Sequence, residues 1–266
     1  MSAPLKSYGV LERASAASAE ERAAEQISRL GYAVFEAGLS APEIAKLATC
    51  FDRAHGDYLA HYGRDYLRAR DEHNTMRLPL ALDRAFLDLA RNERLLALVA
   101  RLIAGAFILN QQNGIINPSG DGYNQDAWHR DLPYQHFVCS RPLAINALYC
   151  VDDFTLENGA TSVVPASHLR EGFPSDGFVA EHARQITAQA GSFIVLDCMT
   201  YHRGTHNTST QARRAVNHVF TIPYIKQQIS IPAALRDADL DEATRMLLGY
   251  AYQAADGVAA YLEERT

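Results

Sequence analysis

The sequence predicts a mixed α and β fold in which helices flank an antiparallel β core. Three observations support this prediction. Apolar residues recur at helical spacing up to about residue 105, short β-branched or aromatic runs separated by Gly, Pro, Asn and Asp follow, and helical spacing returns after Pro232. The 266 residues are compatible with one domain, which has a helical N-terminal part at about 1–105, a β core at about 106–225 and a helical tail at about 232–266.

The N-terminal part begins with a capped helix and a short strand. Ser18 and Glu21 have the spacing of a capping box, and Gly31 follows the last periodic residue, where glycine readily takes the left-handed conformation that ends a helix. The apolar and aromatic residues of 32–37 then predict a strand.

Further helices are predicted before the β core. Ser40 begins one with Pro42 in its first turn, where a missing N–H costs nothing, and that helix runs to about Tyr62. Residues 83–104 carry apolar side chains at helical spacing, which predicts two helices with a break near Asn92.

The β core has the pattern of an antiparallel sandwich or barrel, with short strands separated by turn residues. The predicted strands are 106–116, 126–131, 143–151, 161–164, 192–197, 200–205 and 214–222.

Composition limits the kind of partner. The chain is 48% hydrophobic and 21% charged, so we expect it to fold on its own. A net charge of −6 gives no reason to expect binding to nucleic acid or to an anionic membrane. The first residues lack the pattern of a secretory signal and no apolar run reaches 18 residues, so we expect a cytoplasmic protein with a small-molecule substrate.

The cysteines are scattered without a CxxC pair, which argues against a structural zinc site or a redox motif. We expect buried free thiols at Cys50, Cys139, Cys150 and Cys198.

Trp128-His129-Arg130-Asp131 is the segment most informative about chemistry. Alternate side chains of a strand share a face, so His129 and Asp131 point the same way, about 7 Å apart along the backbone. A second imidazole, His202, lies 73 residues later on another predicted strand. Two imidazoles and one carboxylate leave open positions on a metal, and this set is typical of non-haem iron(II) oxygenases.

Other interpretations of these residues remain open at this point. His-x-Asp also arises by chance among solvated or paired side chains. The rivals of His202 for the third position are His136, His168, His206 and His218. Arg213 and Arg214 begin a predicted strand, and either could bind a carboxylate of a diacid cosubstrate or form a solvated basic corner.

From about residue 110 to 222, the sequence resembles the phytanoyl-CoA dioxygenase (PhyH-like) family of iron(II)/2-oxoglutarate oxygenases. The matching segments are Trp128 to Asp131, Asp152 to His168 around Asn158-Gly159, and Gly191 to Asp197 leading into His202-Arg-Gly-Thr-His-Asn207 and Arg213. In that family the last histidine ligand precedes an asparagine by five residues and the 2-oxoglutarate arginine by eleven. The resemblance therefore selects His202, Asn207 and Arg213, and leaves out His206 and Arg214.

The resemblance implies a double-stranded β-helix (jelly-roll or cupin-like) core in which His129, Asp131 and His202 hold Fe(II) and Arg213 binds 2-oxoglutarate. The implied reaction consumes O2, releases succinate and CO2, and hydroxylates or otherwise oxidises a small polar metabolite. Related halogenases carry a small residue at the position of Asp131, so the resemblance implies a hydroxylase and not a halogenase.

The resemblance also implies that His168 belongs to a structural loop. Its turn reads Pro165-Ala-Ser-His, whereas family members often have glycine second.

Several polar residues are further candidates for the site. Those expected to contact 2-oxoglutarate are Gln112, Asn113, Asn146 and Thr161, although Thr161 could also be a strand residue without a role. Asn217 shares a strand face with Arg213, so it is a candidate for the substrate side or a satisfied core amide. The residues that suggest a polar or anionic substrate with a stacking surface are Trp128, Arg130, Tyr134 and Arg141.

Two other functions compete with the oxygenase. A cupin-type zinc or manganese enzyme could use the same triad without 2-oxoglutarate, but it would not need Arg213. A non-catalytic sandwich that binds a small molecule could retain the fold, but the complete triad argues against it.

Overall fold

The computed structural model describes residues 5–120, 122–132, 138–263 and 265. The first helix, α1 (Ala19–Leu30), begins with the expected capping box, in which the Ser18 hydroxyl accepts from the Glu21 N–H. It ends at Gly31, whose φ is 85°. Strand β1 (Tyr32–Glu36) follows at once, so the predicted helix and strand are confirmed.

The helices before the β core also agree with the sequence. Helix α2 spans Ala41–Tyr62, and α4 (Arg84–Ala90) and α5 (Glu93–Ile103) are separated near Asn92, whose side chain caps α5. Two short elements between them were not predicted, α3 (Arg64–Arg68) and β2 (Thr75–Arg77).

The main sheet joins β1 and β2 to four further strands, which are β3 (Ile108–Asn117), β4 (Ala144–Cys150), β7 (Ser192–Asp197) and β9 (Arg213–Thr221). The order of its six strands is β1-β7-β4-β9-β3-β2. Every pairing is antiparallel. This sheet joins β1, from the helical part of the sequence, to strands that are far away in the chain.

The second sheet is small, and its strands are β5 (Ser162–Val163), β6 (Arg184–Gln185) and β8 (His202–Arg203). Their order is β6-β5-β8. The predicted strand at 126–131 is wrong in extent, because only an isolated antiparallel bridge from His129 to His202 forms there. Helix α6 (Asp176–His182) and β6 were not predicted.

The main sheet presents its two faces to different neighbours, since side chains alternate along each strand. One face packs on the helices in a cluster that includes Phe51, Leu95, Leu98, Tyr149 and Phe220. The other face packs on the small sheet through Ile115, Ile194, Phe154, Val163 and Ile186. The cavity described below lies between the two sheets.

The tail is helical as predicted, but in short pieces, which are α7 (Ile231–Ala234), α8 (Glu242–Leu247) and α9 (Val258–Glu263). In the described part of the chain, no helix has the length and apolar character needed to cross a membrane. Three of the four free cysteines are buried, whereas Cys139 is exposed, which corrects the expectation for that residue.

Candidate metal centre and its cavity

His129, Asp131 and His202 converge between the two sheets. One ligand atom from each lies within 4.8 Å of the others, a geometry that can hold a metal ion. Backbone hydrogen bonds bring them together, because His129 and His202 exchange N–H···O bonds of 3.0 Å in both directions. The Asp131 N–H donates to the Cys198 carbonyl at 3.1 Å, which ties the second ligand to the segment before β8.

Both imidazoles are held in the tautomer that a metal requires. Nδ1 of His129 lies 2.8 Å from the Ala127 carbonyl oxygen, and Nδ1 of His202 lies 3.0 Å from that of Thr200. A carbonyl only accepts, so each Nδ1 carries the proton and each Nε2 keeps a lone pair for a metal. Burial lowers the pKa of His202, against an opposing contribution from Asp131, and so favours the neutral imidazole that can bind a metal.

Asn146 orients the carboxylate of Asp131. Its Nδ2 donates to Asp131 Oδ2 at 2.8 Å, while Asp131 Oδ1 lies 3.7 Å from His202 Nε2. The remaining Asn146 Oδ1 is buried and has no hydrogen-bond partner within the structure described. The predicted residue therefore lies at the site, and its observed contact is with Asp131, the candidate carboxylate ligand.

Arg213 projects into the same cavity from the start of β9. Its side chain is buried, with a relative exposure of 2%, and its guanidinium carbon lies 3.9 Å from the ring centroid of Phe154. Nε and Nη1 are buried and have no hydrogen-bond partner among the described residues. A buried guanidinium with free donors is costly unless an anion pairs with it, so this end of the cavity suits a carboxylate.

Two neighbours shape the surroundings of Arg213. The Tyr123 phenol interacts electrostatically with its guanidinium, and burial raises the pKa of that phenol. Asn207 holds the loop before β9, because its Nδ2 donates to the carbonyls of Asn117 at 3.1 Å and Gln211 at 2.8 Å.

The described rival residues lie elsewhere, whereas His136 lies outside the described residues. Arg214 points to the helical side, where it pairs with Asp152 at 2.6 Å and Asp52 at 2.7 Å. His206 is exposed, and His168 is buried with Nε2 3.2 Å from the Ser28 carbonyl, in keeping with a structural loop. The geometry thus brings His202 and Arg213 to the cavity and leaves these three outside it.

The structure corrects the expected role of Gln112. Its Nε2 donates to the Phe86 carbonyl at 2.8 Å and lies 2.8 Å from His218 Nε2, on the face that packs against the helices. Since Ile115 lines the cavity, the alternation of β3 turns residue 112 the other way, so Gln112 cannot contact a ligand there.

The same alternation corrects Trp128 and Arg130. Trp128 packs on the outer side of the small sheet, against Val164, Val179 and Tyr201. Arg130 is buried and donates to four backbone carbonyls, those of Ser167, Arg170, Glu171 and Met199. When His129 and Asp131 face the cavity, the residues at 128 and 130 must face away from it.

Of the other candidate residues, some line the cavity and some do not. Asn217 and Thr161 line the cavity, and Asn217 Oδ1 is buried without a partner among the described residues. Asn113 pairs with Asn217 across the strands, but its Nδ2 donates to Gln111 at 3.2 Å. Arg141 is exposed and is not part of the cavity lining, and Tyr134 lies outside the described residues.

Sequence reasoning missed several residues of the cavity, namely Ile115, Tyr123, Gln125, Leu148, Leu196, Arg203 and Gly204. Gly204 makes room for Tyr123. A Cβ added there would lie 2.2 Å from the Tyr123 ring, so glycine at this position lets the ring reach Arg213. Tyr123 itself lies in a loop, where strand periodicity says nothing about direction.

Comparison with known proteins gives a family and a fold. The sequence model of the phytanoyl-CoA dioxygenase (PhyH) family matches residues 27–215. Uncharacterized protein Rv1501 of Mycobacterium tuberculosis is 32% identical over 234 residues, which is 85% of each chain.

Solved structures have the same architecture, the double-stranded β-helix that the sequence resemblance implied. SnoN from nogalamycin biosynthesis, solved in complex with Fe3+, alpha ketoglutarate and nogalamycin RO, has a TM-score of 0.62 at 20% identity, covering 84% of this chain and 92% of SnoN. EctD from S. alaskensis, solved with 2-oxoglutarate and 5-hydroxyectoine, has a TM-score of 0.63 at 24% identity, covering 76% of this chain and 75% of EctD.

Proposed function

The chain belongs to the phytanoyl-CoA dioxygenase (PhyH) family of iron(II)/2-oxoglutarate-dependent oxygenases, and from this we propose that it hydroxylates a small polar metabolite with release of succinate and CO2. Enzymes of this family use Fe(II), 2-oxoglutarate and O2.

His129, Asp131 and His202 would hold the iron. The donor set fits, because two neutral imidazoles and one carboxylate converge with their Nδ1–H groups already satisfied by backbone carbonyls. When bound, iron(II) activates O2 and couples the oxidative decarboxylation of 2-oxoglutarate to oxidation of the substrate.

Arg213 would bind the distal carboxylate of 2-oxoglutarate, with the Tyr123 hydroxyl beside it. The single observation that carries the 2-oxoglutarate assignment is the buried Arg213 guanidinium in the cavity of the triad, whose Nε and Nη1 have no hydrogen-bond partner among the described residues. A zinc or manganese hydrolase built on the same triad would bury this charge without a use for it, at a cost of several kcal/mol.

Hydroxylation is favoured by the residue at position 131. Its carboxylate is held by Asn146 toward the two imidazoles, which supports three protein ligands and argues against halide occupying that position. The polar side chains around the centre, Asn146, Thr161 and Asn217, support a small polar substrate.

The test is an anaerobic titration of the metal-free protein, first with iron(II) and then with 2-oxoglutarate, read as the visible charge-transfer band of the chelate. Arg213→Gln should weaken 2-oxoglutarate binding about a hundredfold and leave iron binding nearly unchanged, because one charge-assisted bidentate pair is lost. His202→Ala should remove iron binding.

Arg214→Gln is the matched control, since Arg214 is the neighbouring arginine but pairs with Asp152 on the helical side. It should leave both affinities unchanged. An equal loss at Arg213 and Arg214, or the absence of a band together with zinc-dependent hydrolysis, would contradict the proposal.

A further inference from the structure

Asn146 presents a buried hydrogen-bond acceptor beside the candidate metal centre. Its Nδ2 donates to Asp131 Oδ2 at 2.8 Å. Because a carboxylate only accepts hydrogen bonds, this contact identifies the donor end of the amide, and the other end must be the carbonyl oxygen. That oxygen, Asn146 Oδ1, is buried and has no hydrogen-bond partner among the described residues.

Asn217 presents a second acceptor on the same face of the main sheet. It lies opposite Leu148 in the ladder of β4 and β9, and Asn146 is two residues from Leu148 on the same face. The Cβ atoms of the two asparagines are therefore about 7 Å apart, as diagonal neighbours on paired strands are. In the part of the chain that the structure describes, Asn217 Oδ1 is likewise buried without a partner. Both side chains line the cavity of the triad, so one small molecule can reach both oxygens.

The other components of the proposed oxygenase cannot satisfy these two oxygens. At neutral pH, 2-oxoglutarate carries two carboxylates and a ketone, which all accept hydrogen bonds, and O2 has no N–H or O–H group. Water can donate to the two amides before a substrate binds. A substrate that displaces this water must donate in its place, because a buried amide oxygen left unpaired is costly.

The charges around the centre favour an uncharged substrate. Among the described lining residues, the side chains of fixed charge are Asp131, Arg203 and Arg213. The guanidinium carbon of Arg203 lies 4.9 Å from the ring centroid of Trp128, on the outer side of the small sheet, so this charge lies away from the metal centre. In the proposed oxygenase, the charges of iron(II), Asp131, Arg213 and the dianion of 2-oxoglutarate cancel. A charged substrate would then add a charge without a counterion to a space of low dielectric.

We propose that the substrate is an uncharged molecule whose hydroxyl or amide N–H groups donate to Asn146 Oδ1 and Asn217 Oδ1. This substrate class rests on the proposed function, because iron and 2-oxoglutarate are taken to occupy the rest of the cavity. Asn146 then bridges Asp131 and the bound molecule, so the carbon beside the donating group is held next to the metal.

The experiment titrates matched pairs of small molecules into the protein loaded anaerobically with iron(II) and saturating 2-oxoglutarate. Acetamide is compared with N,N-dimethylacetamide, and ethylene glycol with 1,2-dimethoxyethane, since only the first member of each pair carries hydrogen-bond donors. Binding is read from the change in the charge-transfer band and from calorimetry. At least one donor-bearing molecule should bind saturably, at least about tenfold more tightly than its methylated partner. The pair with the larger ratio shows whether a hydroxyl or an amide is preferred.

Two leucine variants test whether this preference comes from the asparagines, because leucine has the branched shape of asparagine without its acceptor. Asn146→Leu and Asn217→Leu should each bind the donor-bearing molecule about tenfold more weakly. Asn146→Leu also loses the contact with Asp131, so it is measured at an iron concentration that restores the band, whereas Asn217→Leu keeps that contact. Thermal unfolding verifies that both variants are folded. Gln189→Leu is the matched control, since Gln189 is exposed and lies outside the cavity, and it should bind as the wild type does.

The outcomes are distinguishable. If neither donor-bearing molecule binds the wild type, or if the methylated partners bind as tightly, the inference is wrong. If both leucine variants keep the full preference, it arises from the bulk of the methyl groups and the inference is again wrong. Acetate serves as a further arm, and tighter binding of acetate than of acetamide would overturn the assignment of an uncharged substrate. If no charge-transfer band forms in the wild type, the proposed function fails, and calorimetry on the metal-free protein still decides whether the cavity prefers donor-bearing molecules.

Discussion

Replacing Arg130 with methionine should destabilise the protein strongly, although this residue was first expected to contact substrate. The side chain has a relative exposure of 5% and donates to the carbonyls of Met199 at 2.7 Å, Glu171 at 2.9 Å and Ser167 at 3.1 Å, and also to that of Arg170. Its guanidinium carbon also lies 3.9 Å from the ring centroid of Tyr201.

The magnitude follows from these contacts. Methionine fills most of the volume but leaves four carbonyl oxygens without their donor, each of which costs about 1 kcal/mol. The lost cation–π contact adds about 0.5 to 1 kcal/mol, so the free energy of unfolding should fall by about 5 kcal/mol. For a chain of this size, that corresponds to a decrease in Tm of roughly 10 to 20 °C.

The measurement is urea unfolding of the metal-free protein, followed by circular dichroism. Arg141→Met is the matched control, because Arg141 is exposed and should change the free energy of unfolding by less than about 0.5 kcal/mol. A loss below about 1 kcal/mol for Arg130→Met would refute the reasoning that its four hydrogen bonds hold the segment 167–171 and Met199 together.

Three further predictions concern single positions. Ala166→Gly should raise the free energy of unfolding by about 0.5 to 1 kcal/mol in urea unfolding, because Ala166 has a φ of 60°, where glycine is less strained, and a decrease would contradict this account. Burial lowers the pKa of His218 to about 4, so only the unfolded state binds this proton between about pH 4 and 6.5. Stability should therefore fall by up to about 3 kcal/mol as the pH drops through that range, and an NMR titration of the imidazole with a midpoint near 6.5 would be inconsistent with this. Gly204→Ala should weaken 2-oxoglutarate about tenfold in the anaerobic titration, because the added Cβ displaces Tyr123, whereas Gly172→Ala, with no atom within 4 Å of the added Cβ, should not.

The helices were predictable because their signals are local. The capping box at Ser18, the stop at Gly31 and the break at Asn92 all act within a few residues, and each lies where the sequence placed it. Most strands of the β core were predicted in position, but 126–131 forms only a bridge and β5 and β8 are only two residues long, since pairing across the sandwich decides where a ladder ends.

Strand alternation also predicts which neighbours of the candidate metal ligands face away from the site. Alternation placed His129 and Asp131 on one face, and the same rule sends Trp128 and Arg130 to the other face, as the structure shows. It likewise turns Gln112 toward the helices.

The sequence by itself determined the helical and β regions and, with the family resemblance, the candidate triad and Arg213. Tertiary structure alone decided that Tyr123 lines the cavity beside Arg213. Tyr123 reaches it from a loop because Gly204 leaves space for its ring. Contacts between distant segments depend on how loops and sheets pack, and no local pattern of residues encodes that packing.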